Sequence, residues 1–209
     1  MTRILPGVIA MATIVVASNI LVQFLILDGL LTWGAFTYPL AFLVTDLMNR
    51  IYGIGAARKV VFAGLIVGII CSLIGSQIML EFGPAVPIRV AIGSATAFLV
   101  AQLLDIAVFD RLRDGSWWRA PLVSTLLGST VDTAIFFSIA FAATFNGISL
   151  SAAEQIGWAQ DSAPLLLAGP DAPLWVTLAI ADWGVKIAVA LIALVPFRLI
   201  ARQFAPASI

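Results

Sequence analysis

The sequence predicts an all-α integral membrane protein, a bundle of six transmembrane helices, and three observations predict it. Of 209 residues, 62% are hydrophobic and only 11% charged, and the mean hydropathy is +1.10. A soluble domain needs about a quarter of its residues charged to cover its surface. Six apolar stretches are long enough to cross the bilayer, whose hydrocarbon is about 30 Å thick. Basic residues collect on one side of those stretches.

The expected spans are residues 5–27, 33–52, 59–80, 88–109, 120–145 and 173–197, all in one domain covering residues 1–209. The first follows Arg3 and contains the small residues Val16, Ala17 and Ser18, as a signal peptide does. Its apolar run exceeds the roughly 7–15 residues of a signal-peptide core, so a retained helix is expected. Pro39 marks the second span as one that starts or kinks there. Connections are short except the fifth, where residues 149–158 suit a short interfacial helix before a Pro/Gly-marked segment.

Orientation follows from Lys and Arg. Arg3, Arg50, Arg58, Lys59, Arg111, Arg113, Arg119, Arg198 and Arg202 share one side, which is nine of the eleven basic residues. The opposite connections hold Asp28, Glu81, Glu154, Asp161 and Asp171 without a Lys or Arg. The basic side is expected in the cytoplasm, and both ends of the chain with it.

Composition also excludes functions. The formal net charge of zero offers nucleic acid no basic field. A single cysteine, Cys71, forms no intrachain disulfide. Histidine is absent, which removes the commonest metal ligand and general base. No phosphate-binding loop of the G-x-x-x-x-G-K-[ST] type occurs. Neither an enzyme nor a cofactor-dependent protein is expected.

Charged residues inside spans carry the functional signal, because each costs about 2.5–3.5 kcal/mol at the centre of a helix in lipid. They are Asp46, Asp105, Asp132 and Asp182, against Arg89 and Lys186; the amides Asn19, Gln23 and Gln102 join them. Gly93, Ala97, Ala101 and Asp105 share one helix face, as do Ser124, Gly128 and Asp132. Small residues line faces where helices approach closely, so these acids point into the bundle. Gly64, Gly68 and Ser72 form a third stripe without a charge.

Each group also has a structural reading. Asp182 and Lys186, four residues apart, can neutralise each other. Arg50 lies one turn from Asp46 and Arg111 near Asp105, and Arg89 can snorkel to headgroups. Asp132 has no basic residue within a turn of its own helix. Trp33, Phe36, Tyr38 and Trp175 suit an aromatic belt, while Trp183 adjoins Asp182. Inward carboxylates, amides and rings together suit a flat, hydrogen-bonding solute, since a carboxylate accepts two parallel N–H groups from a guanine-type edge.

The run from Tyr38 to Asp46, with Tyr52-Gly53 and Ala57-Arg58, resembles the signature of the queuosine precursor transporter family. So do Arg89 with Gly93-Ser94, then Gln102, Asp105, Val108-Phe109 and Leu112-Arg113. Trp117-Trp118-Arg119, Ser124-Thr125, Gly128, Asp132-Thr133, Phe136-Phe137 and Ile139-Ala140-Phe141 continue it, and Asp182 with Lys186 match the last helix. The resemblance covers about residues 15–200. It implies a fold like the substrate-binding components of vitamin uptake systems. It also implies import of 7-cyano- or 7-aminomethyl-7-deazaguanine across the bacterial inner membrane, for tRNA modification. The alternative is a binding component that needs a separate ATP-driven partner. The implied partners are the deazaguanine base and the lipid bilayer, and a homo-oligomer is compatible with both. Asp46, Asp132, Asp182 and Lys186 stand in matching motifs as substrate contacts, followed by Asn19, Gln102 and Arg89; Trp183 joins them as the neighbour of Asp182. Arg50 departs from the family, many members of which carry an acid there, so that position's role is not transferred.

Overall fold

A computed structural model of the chain describes residues 2–81 and 83–204. It is all-α apart from three two-stranded hairpins at helix ends. The helices are α1 (Leu5–Leu21), α2 (Gly34–Thr37), α3 (Leu40–Tyr52), α4 (Ile54–Gly75), α5 (Ile88–Leu112), α6 (Arg119–Phe141), α7 (Leu150–Gln155) and α8 (Leu174–Phe204). Four of these, α4, α5, α6 and α8, are long and apolar enough to cross a membrane. Helix α1 is apolar but has 17 residues, ending where the chain turns into a hairpin pairing Leu25–Ile26 with Leu31–Thr32. Helices α2 and α3 run in series and are interrupted at Tyr38-Pro39, because Pro39 has no N–H to continue the ladder.

Burial is inverted relative to a soluble protein. On α8, Ile192 is 70% and Val195 64% exposed, and Ile66 and Leu73 on α4 are 59% and 60% exposed. Beside an apolar core that includes Met11, Phe42, Val60 and Phe109, the interior also holds Asp46, Asn49, Arg89, Gln102, Asp105, Ser124, Asp132 and Lys186. Lipid supplies the apolar surroundings that these outward side chains require, and a multi-pass membrane protein follows.

Small residues fix the tightest packing. Helices α5 and α6 form the most extensive pair. A Cβ on Gly93 would stand 3.3 Å from the Ala140 nitrogen and the Phe136 oxygen, and one on Gly128 would stand 2.7 Å from Phe42 and 3.3 Å from the Ala101 oxygen. The stripes expected to face inward therefore do so, with α3 lying against the same seam. The stripe on α4 packs too: a Cβ on Gly64 would meet Met11 at 2.6 Å and Phe98 at 3.1 Å. Gly53 alone joins α3 to α4, with φ of 83° and ψ of 173°, a conformation in effect reserved for glycine. The Tyr52-Gly53 pair thus marks a reversal of the chain.

The fifth connection folds back on the bundle. Ser149 caps α7, its hydroxyl accepting from the Ala152 N–H, and Ile156 and Ala159 pack against Phe137 and Phe141. A hairpin of Ser162–Pro164 with Asp171–Pro173 then leads into α8.

Candidate functional site

Three helical segments bring one polar cluster together. Lys186 on α8 is 3% exposed, and its Nζ lies 2.8 Å from Asp132 Oδ2 on α6 and 2.6 Å from Asp182 Oδ2 one turn away. Its third N–H donates to Thr133 Oγ1 at 2.9 Å. The Thr133 hydroxyl in turn donates to Asp182 at 3.2 Å. Tyr38, between α2 and α3, donates its hydroxyl to Asp132 Oδ1 at 3.0 Å, and the ammonium stands 5.6 Å from the Tyr38 ring centroid. Two carboxylates facing one ammonium leave a formal charge of −1.

Local sequence explains the convergence. Gly128 draws α5 and α3 onto α6, one turn before Asp132. Pro39 breaks the α2–α3 series next to Tyr38 and so places that ring at the cluster. Asp182 and Lys186 share a face of α8 by their i,i+4 spacing. Three donors meet Lys186's two acids and hydroxyl, so every ammonium hydrogen has an acceptor.

A second polar group lies about two turns along α6, some 11 Å away. There Asp46 of α3 accepts from Ser124 Oγ at 3.2 Å and Thr125 Oγ1 at 3.1 Å. Asp105 of α5 lies beside Asp46, and neither of its carboxylate oxygens accepts a hydrogen bond from a described residue. Thr45 donates to Gln102 Oε1 at 2.5 Å, the buried Gln102 Nε2 has no partner among the described residues, and Asn49 donates to the Ile106 carbonyl. This group is acceptor-rich and has a spare amide donor.

The remaining expected residues sit elsewhere. Arg89 is fully buried, but its guanidinium donates to the Ile139 carbonyl from Nε and Nη2, to the Ala142 carbonyl at 2.8 Å and to Asn146 Oδ1 at 2.7 Å. It holds the end of α6 rather than snorkelling to headgroups. Asn19 donates to the Val15 carbonyl on its own helix. Trp183 is 39% exposed, and its indole N–H donates to Thr130, away from the carboxylates. Arg50 does not turn back to Asp46; its Nη1 donates to the Arg113 carbonyl at 2.6 Å.

Two members of the cluster escaped the reading from sequence. By its position Tyr38 suits the aromatic belt, yet it donates to Asp132. Thr133 carries no charge to mark it in the sequence, yet it joins Lys186 to Asp182. Both adjoin residues that stand out in the sequence, in Tyr38-Pro39 and Asp132-Thr133, and that adjacency is the signal the sequence offers.

The chain is 40% identical over 141 residues to a queuosine precursor transporter of Escherichia coli (strain K12), covering 61% of this chain and 64% of that one. It is 44% identical over 122 residues to a "Probable queuosine precursor transporter" of Haemophilus influenzae, covering 53% and 52%. A relative of the same description in Bacillus subtilis is 28% identical over 195 residues, covering 84% and 73%. The first two matches thus span less than two thirds of those relatives' own lengths. No solved structure matches the chain with significance. A family model described as "Putative vitamin uptake transporter" matches residues 32–201, a stretch that holds Tyr38, Asp46, Asp132, Asp182 and Lys186, and the chain belongs to that family.

Proposed function

We propose that this protein imports a queuosine precursor, a 7-deazaguanine base, through a bundle of six transmembrane helices with both chain ends in the cytoplasm. Helix α1 and the α2–α3 series join the four long helices as spans in this reading. The buried Asp132–Lys186–Asp182 cluster of a chain in this family carries it. The curated relatives are named as transporters of that precursor, which supports the substrate class.

The chemistry matches. A 7-deazaguanine presents a ring N–H beside an exocyclic amine, and a carboxylate accepts both in parallel. Asp132 and Asp182 supply the acceptors, Lys186 supplies a donor for the ring carbonyl, and Tyr38 supplies an aromatic face. With Asp132 and Lys186 almost fully buried, the ligand enters by parting α8 from α6 and breaking the Tyr38–Asp132 bond. Asp46, Gln102 and Asp105 form the next polar station along α6. Import into the cytoplasm of a bacterial cell fits the basic residues gathered at one end of the bundle.

Reconstitution tests this reading. Liposomes holding only the purified chain should accumulate or equilibrate labelled deazaguanine faster than empty ones, and excess unlabelled base should suppress the uptake. Binding without movement across the bilayer would favour the component that needs an ATP-driven partner. Failure to bind any purine or deazapurine would reject the substrate class.

A further inference from the structure

At the end of α8 opposite the Trp175 end, a cleft of about 400 Å³, open mouth included, is lined by Arg50, Trp117, Phe197, Arg198, Ala201 and Arg202. We propose that it is a phosphate-binding site, occupied by the headgroup phosphate of an anionic membrane lipid. This proposal is independent of the transport reading, since none of these residues touches the Asp132 cluster.

Three arginine side chains line the cleft, and no carboxylate does. Three cations gathered without an acid repel one another, and an anion between them removes the repulsion. Of the acids nearest in sequence, Asp46 accepts from Ser124 and Thr125, and Asp114, three residues before Trp117, does not line the cleft. Arg198 lies with its guanidinium carbon 4.4 Å from the Trp117 ring centroid. The buried Arg198 Nε has no hydrogen-bond partner among the described residues. Arg50 is fixed by its bond to the Arg113 carbonyl, which uses one of its five donor hydrogens. Arg198 and Arg202 sit four residues apart and present their side chains from the same face of α8.

Phosphate suits this set better than a single carboxylate, because several oxygens can engage more than one guanidinium fork at once. The location selects the lipid as source. Helix α8 has 31 residues and so runs about 46 Å, longer than the roughly 30 Å of hydrocarbon, which brings its last turns to headgroup depth. Trp117, Phe197 and Ala201 give the cleft apolar walls against which the glycerol and first acyl carbons can lie.

The test uses the full chain, delipidated in neutral detergent, with phosphatidylglycerol, phosphatidylcholine or inorganic phosphate added. Native mass spectrometry counts retained lipid, and the melting temperature reports binding by mass action. Wild type should retain one phosphatidylglycerol in preference to phosphatidylcholine. The R198Q/R202Q double variant should bind it about tenfold or more weakly. The exposed pair Arg58 and Lys59, changed to Gln together, removes the same charge outside the cleft and should leave binding unaltered. Because Arg198 also packs on Trp117, R202Q alone provides a variant whose loss of binding is free of that contact. Stabilisation by millimolar inorganic phosphate but not by lipid would keep the phosphate site and assign it to a free anion. Equal loss in the Arg58/Lys59 pair, or no binding of either lipid or phosphate, would overturn the proposal.

Discussion

Lys186 of α8 reaches Asp132 of α6 across a helix interface at 2.8 Å while also holding Asp182 of its own helix at 2.6 Å. The ammonium is therefore shared, and the two carboxylates are not equivalent. Asp132 has a second donor in Tyr38, whereas Asp182 has Thr133 and a partly exposed side chain. Truncations at the three positions should consequently have unequal effects.

Lys186→Met should be the most destabilising of these changes, by about 3–5 kcal/mol, because it leaves two buried carboxylates facing each other with no cation. Asp182→Asn should cost less, since Lys186 keeps Asp132. Adding Asp132→Asn to Lys186→Met should restore part of the lost stability by removing one unpaired charge. Thermal unfolding in detergent ranks the three; a double variant no more stable than Lys186→Met would show that the pairing is not what holds α6 to α8.

Arg89 makes a different prediction. Its bonds to the Ile139 and Ala142 carbonyls and to Asn146 close the end of α6 and anchor the following turn. Arg89→Met strands buried carbonyls and should destabilise by about 3 kcal/mol, with faster proteolysis in residues 143–172. Arg89→Lys should recover only a fraction, because an ammonium cannot form the same planar fork. Equal melting temperatures for wild type and Arg89→Met would contradict the anchoring role.

Much of this arrangement could be read from the chain, for a physical reason. Small-residue stripes such as Gly93–Ala97–Ala101 and Ser124–Gly128 predict helix contact faces because backbone approach leaves no alternative. They correctly placed Asp105 and Asp132 inward. What stayed hidden was partnership across helices. Asp132 looked uncompensated because its own helix holds no base nearby, and one sequence does not say that α8 brings Lys186 to it. The i,i+4 rule suggested only the Asp182–Lys186 half of the cluster. Arg50 looked poised for Asp46 by the same rule, yet the turn after α5 offered a main-chain carbonyl at 2.6 Å. Side-chain direction in the last turn of a helix is set by its neighbours, which local spacing does not encode.

Topology can be tested at α7. Ser151 is exposed in the connection between α6 and α8, and unlike Ser149 its hydroxyl does not cap the helix. With Cys71 changed to Ala, Ser151→Cys should react with an impermeant thiol reagent in intact cells, and Arg58→Cys only after the membrane is broken. The reverse pattern would invert the bundle and move the basic ends outside.

Asp132→Asn is the decisive test of the proposed substrate site. Asn keeps the shape, and its carbonyl oxygen still accepts from Tyr38 or Lys186 while Lys186 retains Asp182, so the melting temperature should stay close to wild type. Towards a ligand with two adjacent N–H groups the substitution is severe. An ionised carboxylate accepts both, whereas the amide turns a donor towards one of them. Losing a charge-assisted bond and opposing two donors costs on the order of 3 kcal/mol, or roughly a hundredfold in affinity. Equilibrium binding of a labelled deazaguanine to purified wild type and variant measures this directly. A variant that melts normally and binds a hundredfold more weakly places Asp132 at the ligand. Normal melting with undiminished binding would move the ligand along α6 to Asp46, Gln102 and Asp105, where a buried amide donor and two carboxylate oxygens have no partner among the described residues.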